Sequence, residues 1–170
     1  MRTLAAEGLT LEPQRAAHAE EMFAVLSDPA IYQHEREPPA SLAWLRERFA
    51  RLESRRSADR REHWLNWVIR LTNGELAGYV QATVNEHGRA RIAYELASRY
   101  WGRGLARRAL EAMIGELAAS YRVHTLSAVL KRANSRSRRL LERLGFSAVS
   151  AEDASLGTDE ISMERRIAAP

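Results

Sequence analysis

Hydrophobic and polar positions change rhythm several times along this chain, and each change marks an element. From Trp64 to Leu71 apolar and polar residues alternate with the period of a half-buried strand. Asn73-Gly74 then supplies a hairpin turn, because both residues tolerate the positive φ that a tight two-residue loop needs. Glu75 to Val84 reads as the partner strand, a second turn falls at Asn85 to Gly88, and Arg89 to Leu96 completes a three-stranded meander. From about Gly104 to Ser120 the period lengthens. Leu110, Met113, Ile114 and Leu117 recur at i, i+3, i+4 and i+7, the stripe of an amphipathic helix.

Upstream of the meander, Leu9 and Leu11 alternate in a first strand that Pro13 closes. Gln14 to Leu26 reads as a helix with Ala17, Met22, Val25 and Leu26 on its inner face, stopped by Ser27-Asp28-Pro29. Ala30 to Pro39 reads as an irregular loop. Ser41 caps a second helix whose inner face carries Leu42, Leu45, Phe49 and Leu52. Glu53 to Glu62 has no apolar period and reads as a mobile connection. Downstream, Thr125 to Leu130 is a strand, and Asn134 caps a helix with Leu140, Leu141 and Leu144 as its stripe and Gly145 as its stop. Ser147 to Ala151 and Glu160 to Ile167 form a final strand pair around a loop at Gly157. No repeat, low-complexity tract or linker interrupts this order, so residues 1–170 read as one domain.

Composition narrows the functional classes. A chain of 170 residues, 45% hydrophobic and 28% charged, has enough apolar surface for a single core. It holds no apolar run long enough to span a membrane, and residues 1–8 carry too few apolar positions for a signal peptide. Cytoplasmic location follows by default. With no cysteine there is no disulfide, no thiolate metal site and no thiol nucleophile. The five histidines show no ligand spacing, so no metal is expected. The net charge of +4 and pI near 9.9 suggest a nucleic-acid partner. Interleaving of arginine with glutamate, as over Arg46 to Arg61, argues against one. The acid-free cluster is Lys131 to Arg139.

The segment Arg99 to Ala106, Arg-Tyr-Trp-Gly-Arg-Gly-Leu-Ala, carries the clearest chemistry. A strand, a glycine turn and a helix N-terminus make an anion site, since the first helical N–H groups lack internal partners and the helix dipole adds positive potential. A Walker loop is excluded because the only lysine, Lys131, lies elsewhere, and a Rossmann fingerprint because Arg107 fills its third small position. Arg99, Gly102 and Gly104 instead meet the pattern Arg/Gln-x-x-Gly-x-Gly/Ala, which resembles the acetyl-CoA pyrophosphate loop of the GNAT N-acetyltransferases. Asn134-Ser-Arg-Ser-Arg-Arg-Leu-Leu-Glu-Arg-Leu-Gly-Phe146 is similar to that family's Asn-x-x-Ser-x-x-x-x-Glu-Lys-x-Gly-Phe segment. Ile92 to Leu96 followed by Tyr100-Trp-Gly-Arg-Gly104 resembles the branch that includes bacterial ribosomal-protein N-terminal acetyltransferases.

The resemblance implies an α/β fold, a mixed and mostly antiparallel twisted sheet with a splayed central parallel strand pair and flanking helices. The splayed pair would be Arg89–Leu96 and Thr125–Leu130, and acetyl-CoA, as acetyl donor, would lie between them. Backbone groups of Glu95, Leu96 and Ala97 would meet the pantetheine arm. Those of Arg99, Trp101, Gly102, Arg103, Gly104, Leu105 and Ala106 would hold the pyrophosphate, with the Arg99, Arg103 and Arg107 guanidinium groups as supplements, and the acid-free cluster Lys131 to Arg139 would lie at a CoA phosphate. Asn134 would contact the pantetheine, cap its helix, or both. The implied reaction moves an acetyl group to an amine, of a small molecule or a peptide N-terminus, without a covalent enzyme intermediate. A non-catalytic acyl-CoA-binding module on the same fold is the alternative.

The family's usual tyrosine acid falls here at Leu141, and a common glutamate at Arg108. Ser137 is therefore the candidate proton donor to the leaving thiolate. Glu95 is the first candidate base, provided that its face of the strand is not solvent, with relays through Glu62, His63 or His34 behind it. Tyr94 and Trp67 are candidates for the amine pocket. An exposed strand edge would allow a homodimer.

Overall fold

The computed structural model describes residues 1–34, 37–149 and 157–167. Eight strands form one sheet in the order β1-β2-β3-β4-β5-β6-β8-β7. They are β1 (Leu4–Ala6), β2 (Leu9–Pro13), β3 (Glu62–Leu71), β4 (Leu76–Asn85), β5 (Arg89–Leu96), β6 (Thr125–Lys131), β7 (Ser147–Val149) and β8 (Glu160–Arg166). All neighbours are antiparallel except β5 and β6. The helices are α1 (Ala19–Leu26), α2 (Leu42–Leu52), α3 (Leu105–Tyr121) and α4 (Ser135–Arg143).

The meander forms, but in β3 the run from Leu65 to Ile69 is buried throughout instead of at alternate positions, because both faces of this central strand are covered. Trp67, Val80 and Ile92 are buried on its three strands, with α3 supplying Leu110, Met113, Ile114 and Leu117. Ser41 Oγ accepts the Trp44 N–H at 3.1 Å, and Leu45 and Phe49 below it are buried. Helix α4 ends in a Schellman turn: Gly145 takes φ +81°, its N–H donates to the Glu142 carbonyl, and the Phe146 N–H donates to the Leu141 carbonyl. Leu141 and Leu144 are buried, whereas Leu140 of the expected stripe is only half-buried.

Several expectations are corrected. The helix expected from Gln14 begins as a single 3₁₀ turn, Ala16–His18, and becomes α-helical at Ala19. Ala17 is consequently exposed and Ala19 takes its place in the core. The stretch after it holds another 3₁₀ turn, Pro29–Tyr32, capped by Asp28. Residues 53–62 form a hydrogen-bonded turn rather than a featureless link, with Trp64 N–H to the Arg55 carbonyl at 2.9 Å and Ser57 N–H to the Glu62 carbonyl at 3.1 Å. Strand β1 has no sequence period because it is three residues long. Tertiary contacts hold it: the Arg2 carbonyl accepts the Trp67 Nε1–H at 3.0 Å, and the Arg2 guanidinium pairs at 2.7 Å with the buried Glu116 of α3. Part of the last expected strand, Ser150 and Ala151, lies outside the described residues.

The feature that positions the site is the parting of β5 from β6. They pair only from Arg89 opposite Thr125 to Arg91 opposite Ser127, and both then run on without each other. Side chains alternate along β5. Glu95 therefore faces the side of α1 and α2, and Tyr94 and Leu96 the side of α3 and α4.

Candidate active site

The splay exposes backbone. Ala97 N–H donates to the Ala77 carbonyl at 2.9 Å, in line with Leu96 opposite Gly78 and Glu95 opposite Tyr79. In an antiparallel ladder such pairs alternate, so the backbone groups of Glu95 and Ala97 serve β4 while those of Ile92, Tyr94 and Leu96 point into the gap. This corrects the expected part of Glu95 and Ala97 in binding through the backbone. The Leu96 carbonyl is itself occupied, accepting the Trp101 Nε1–H at 2.9 Å. Gly78 lets β4 come this close: a Cβ there would collide with the Glu95 carbonyl oxygen.

Beyond the gap, a 3₁₀ turn at Ser98–Tyr100 leads to Gly102 and Gly104, at φ +74° and +73°. Both angles are costly for any residue with a Cβ. The first helical bond of α3 runs from the Arg108 N–H to the Gly104 carbonyl at 3.1 Å. The N–H groups of Leu105, Ala106 and Arg107 thus lie upstream of any intrahelical acceptor. Arg108, at the position where a glutamate was noted in relatives, donates to the Arg103 carbonyl at 3.3 Å and braces the turn from below.

The turn is anchored from the far side by Asp28, whose Oδ2 accepts the Ser98 N–H at 2.6 Å and whose Oδ1 accepts the Ala30 N–H at 3.0 Å. The bonds from Ser98, followed by that from Ala30, hold this carboxylate below its ordinary value of 3.8 against the opposing effect of desolvation. A folded-state pKa lowered in this way contributes stability that is complete above the unfolded value and is lost as pH falls through the folded one. Asp28→Ala is expected to cost about 1–2 kcal/mol at pH 7, as for a lost helix cap. The difference from the parent protein should shrink below about pH 4 as the parent's own carboxylate protonates. Urea melts of both proteins at pH 7 and pH 3 check this, and a difference that is the same at both values would contradict it.

Three cavities meet here. The largest, about 590 Å³, is walled by the glycine turn, Leu105 and Ala106 on one side and α4 on the other, with Arg107, Arg136, Arg139 and Arg143 around it. The expected supplements Arg99 and Arg103 are not among its lining. Their guanidinium groups lie over the Tyr100 ring, 4.7 and 5.8 Å from its centroid. Lys131, from the acid-free cluster, pairs with Asp159 and Glu160 instead. A small cavity of about 110 Å³ follows, lined by Tyr94, Glu95, Leu96, Trp101, Asn134 and Ser137 among others. Trp101 separates the two, with the Arg136 guanidinium stacked 3.3 Å from its ring centroid. The third cavity, about 430 Å³, lies on the α1–α2 side, and Glu95 lines both it and the small one.

In the small cavity the Tyr94 and Ser137 hydroxyls are 2.6 Å apart. Asn134 Oδ1 accepts the Ser137 N–H at 3.1 Å, the cap that orients this first turn of α4. Glu95 is half-buried, so its face is a cavity wall and not bulk solvent. Trp67 is in the core, fully buried and bonded to Arg2, and lines none of these cavities. Glu62 and His63 sit six or so positions along the sheet from Glu95, roughly 20 Å at strand rise. Glu62 accepts the Trp64 Nε1–H, and His63 packs edge-on against Tyr121 at 5.6 Å. His34 lines none of the three cavities.

Arg136 and Arg139 belong to the acid-free cluster expected near a CoA phosphate and do line the largest cavity, whereas Arg143 was passed over, although a spacing of three and four along α4 puts all three on one helix face. Sequence reasoning also passed over Gln14, which lines the third cavity. Among the described residues no cluster of three or more His, Asp or Glu could hold a metal ion, and no helix is long and apolar enough to cross a membrane.

The sequence pattern of the acetyltransferase (GNAT) domain matches residues 8–147. Among solved structures the chain is similar to RimL, the ribosomal L7/L12 alpha-N-protein acetyltransferase, in complex with coenzyme A, at 18% identity over 99% of both chains with a TM-score of 0.84. It is similar to the ribosomal-protein-S5-alanine acetyltransferase from Vibrio fischeri, at 17% identity over 96% of both chains with a TM-score of 0.82. It is similar also to the spermidine N-acetyltransferase from Vibrio cholerae in complex with CoA and spermine, at 19% identity over 94% of this chain and 96% of that one, with a TM-score of 0.77. At these identities the likeness is one of fold. No curated protein sequence matches the chain.

Proposed function

This chain belongs to the GNAT acetyltransferase family, whose members use acyl-CoA, and on that premise we propose that it transfers an acetyl group from acetyl-CoA directly to a primary amine. The observation that carries this reading is the paired Tyr94 and Ser137 hydroxyls, 2.6 Å apart between the arginine-lined cavity and the third cavity. A thioester threaded past Trp101 would present its sulfur to that pair and its carbonyl carbon to the side on which Glu95 stands.

In the proposed arrangement the turn from Trp101 to Ala106 holds the pyrophosphate through backbone N–H groups. Arg107, Arg136, Arg139 and Arg143 match the remaining phosphate charge. The N–H groups of Tyr94 and Leu96, which point into the gap, serve the pantetheine amides and polarise the thioester carbonyl. The neutral amine attacks the carbonyl carbon; its C–N bond forms and the C–S bond breaks. Glu95 takes the amine's proton, directly or through water. The thiolate takes its proton from the Tyr94–Ser137 pair, which does the work of the tyrosine absent at Leu141. Ser137 is thus the proton donor and Tyr94 its partner, so Tyr94 moves from the amine pocket to the leaving-group side. No covalent enzyme intermediate is needed, in keeping with a chain that has no cysteine.

Calorimetric titration with acetyl-CoA, CoA and ATP tests the donor. Binding of the first two without ATP supports the reading, and thiol release on adding amines then measures transfer. Absence of acetyl-CoA binding would remove it.

A further inference from the structure

Gln14 lies at the exit of β2, its backbone N–H held by the Asn66 carbonyl at 2.9 Å. Its side chain lines the third cavity, is only 6% exposed, and has a buried Nε2 with no hydrogen-bond partner among the described residues. A buried amide donor left unpaired costs stability, and native proteins seldom keep one without a use. The other polar residues of this wall are Tyr32, Glu37, Arg48, Tyr79, Gln81, Arg91 and Glu95, two cations and two carboxylates among them. Arg48 also stacks over Trp44, 5.5 Å from the ring centroid.

Taking this cavity as the amine side, which rests on the function proposed above, we propose that Gln14 determines acceptor specificity by donating a hydrogen bond to a carbonyl or carboxylate oxygen beside the reacting amine. The acceptor class is then an α-amino carbonyl compound, either a free amino acid or a peptide N-terminus. An N–H donor selects an oxygen acceptor, and Glu95 provides the negative charge toward which an ammonium group approaches. Arg48 and Arg91 favour a ligand that also carries oxygen, and with Glu37 and Glu95 opposite them the wall suits a ligand bearing both an ammonium and an oxygen acceptor. Removing Gln14 takes away the reading group while relieving a buried unpaired donor, so affinity and stability should move in opposite directions.

The test is titration of the protein–CoA complex with alanine, alanyl-alaninamide, isobutylamine and spermidine, using the parent protein, Gln14→Leu and Gln14→Met. Either substitution is expected to weaken one or both α-amino carbonyl ligands at least tenfold, to leave isobutylamine unchanged and to raise the melting temperature. Loss confined to alanyl-alaninamide identifies a peptide terminus, and loss confined to alanine identifies a free amino acid. Equal weakening of isobutylamine would mean that the amide contacts the amine itself, and the inference fails. It fails also if neither α-amino carbonyl ligand binds, if their affinities do not depend on Gln14, or if spermidine binds the parent protein best. Thiol release separates the two proposals. Turnover that ignores Gln14 leaves the transferase standing alone. Gln14-dependent binding with no turnover of any amine keeps this inference and removes the transfer reaction.

Discussion

Gly104→Val is expected to reduce acetyl-CoA affinity at least a hundredfold while the protein stays folded. Gly104 is the N-cap of α3 at φ +73°, and a β-branched residue at that angle is strained by about 1–2 kcal/mol. For a domain of this size that strain lowers the melting temperature by only about 5 °C. A single Cβ would meet nothing nearer than the Arg108 Nη1 at 3.5 Å, ordinary contact, so the fold has room for it. The proposed phosphate site does not. A valine side chain would stand over the N–H groups of Leu105 and Ala106, and relaxation of φ would turn the Gly102–Gly104 backbone away from its ligand. Calorimetry with acetyl-CoA reads the loss and a thermal melt shows that folding survives. Unchanged affinity would take the pyrophosphate away from this turn.

The second large effect concerns the thiolate. Tyr94→Phe and Ser137→Ala are each expected to lower kcat about a hundredfold, the lower range for loss of a general acid. The KM for acetyl-CoA should hardly change. Because the two hydroxyls act as one unit, the double variant should be little slower than either single one. A merely structural tyrosine would instead produce a thermal shift and a kcat close to the parent's. Steady-state kinetics on the three variants distinguishes these cases, and an unaltered kcat in Ser137→Ala would return that serine to its place beneath the Asn134 cap.

Both predictions start from motifs visible in the chain, yet they depend on different kinds of information. Gly102, Gly104 and Arg99 stand close together in sequence, and a glycine's freedom of φ is a property of the residue itself. The turn, the helix behind it, the Ser41 and Asn134 caps and the meander all follow from such local preferences and from apolar periods of two or 3.6 residues. The guanidinium positions did not follow. Arg99 and Arg103 look like phosphate ligands along the chain, but Tyr100 between them is buried with its hydroxyl 3.0 Å from Glu75, and its ring draws both cations to itself. Arg136, Arg139 and Arg143 reach the cavity only because α4 packs with that face toward the glycine turn.

Trp67 and Tyr94 make the same point from a strand. Alternation marks both as inward-facing on one side or the other, and says nothing of what waits there. Trp67 meets the Arg2 carbonyl, 65 residues away, and becomes core; Tyr94 meets Ser137, 43 residues away, and becomes part of the site. Gln14 was assigned to a helix, and its value as an unpaired donor arises only when the 3₁₀ turn after it leaves the side chain against the sheet.

Motif resemblance pointed to the family, and local stereochemistry to the glycine turn and most of the order of elements. Turn preference, capping and hydrophobic period act over four or five residues and are written in residue type. Tertiary packing decided which hydroxyls meet, which arginines reach the cavity and which buried amide is left without a partner. Those outcomes depend on distances between segments tens of residues apart, set only once the sheet has closed around its core.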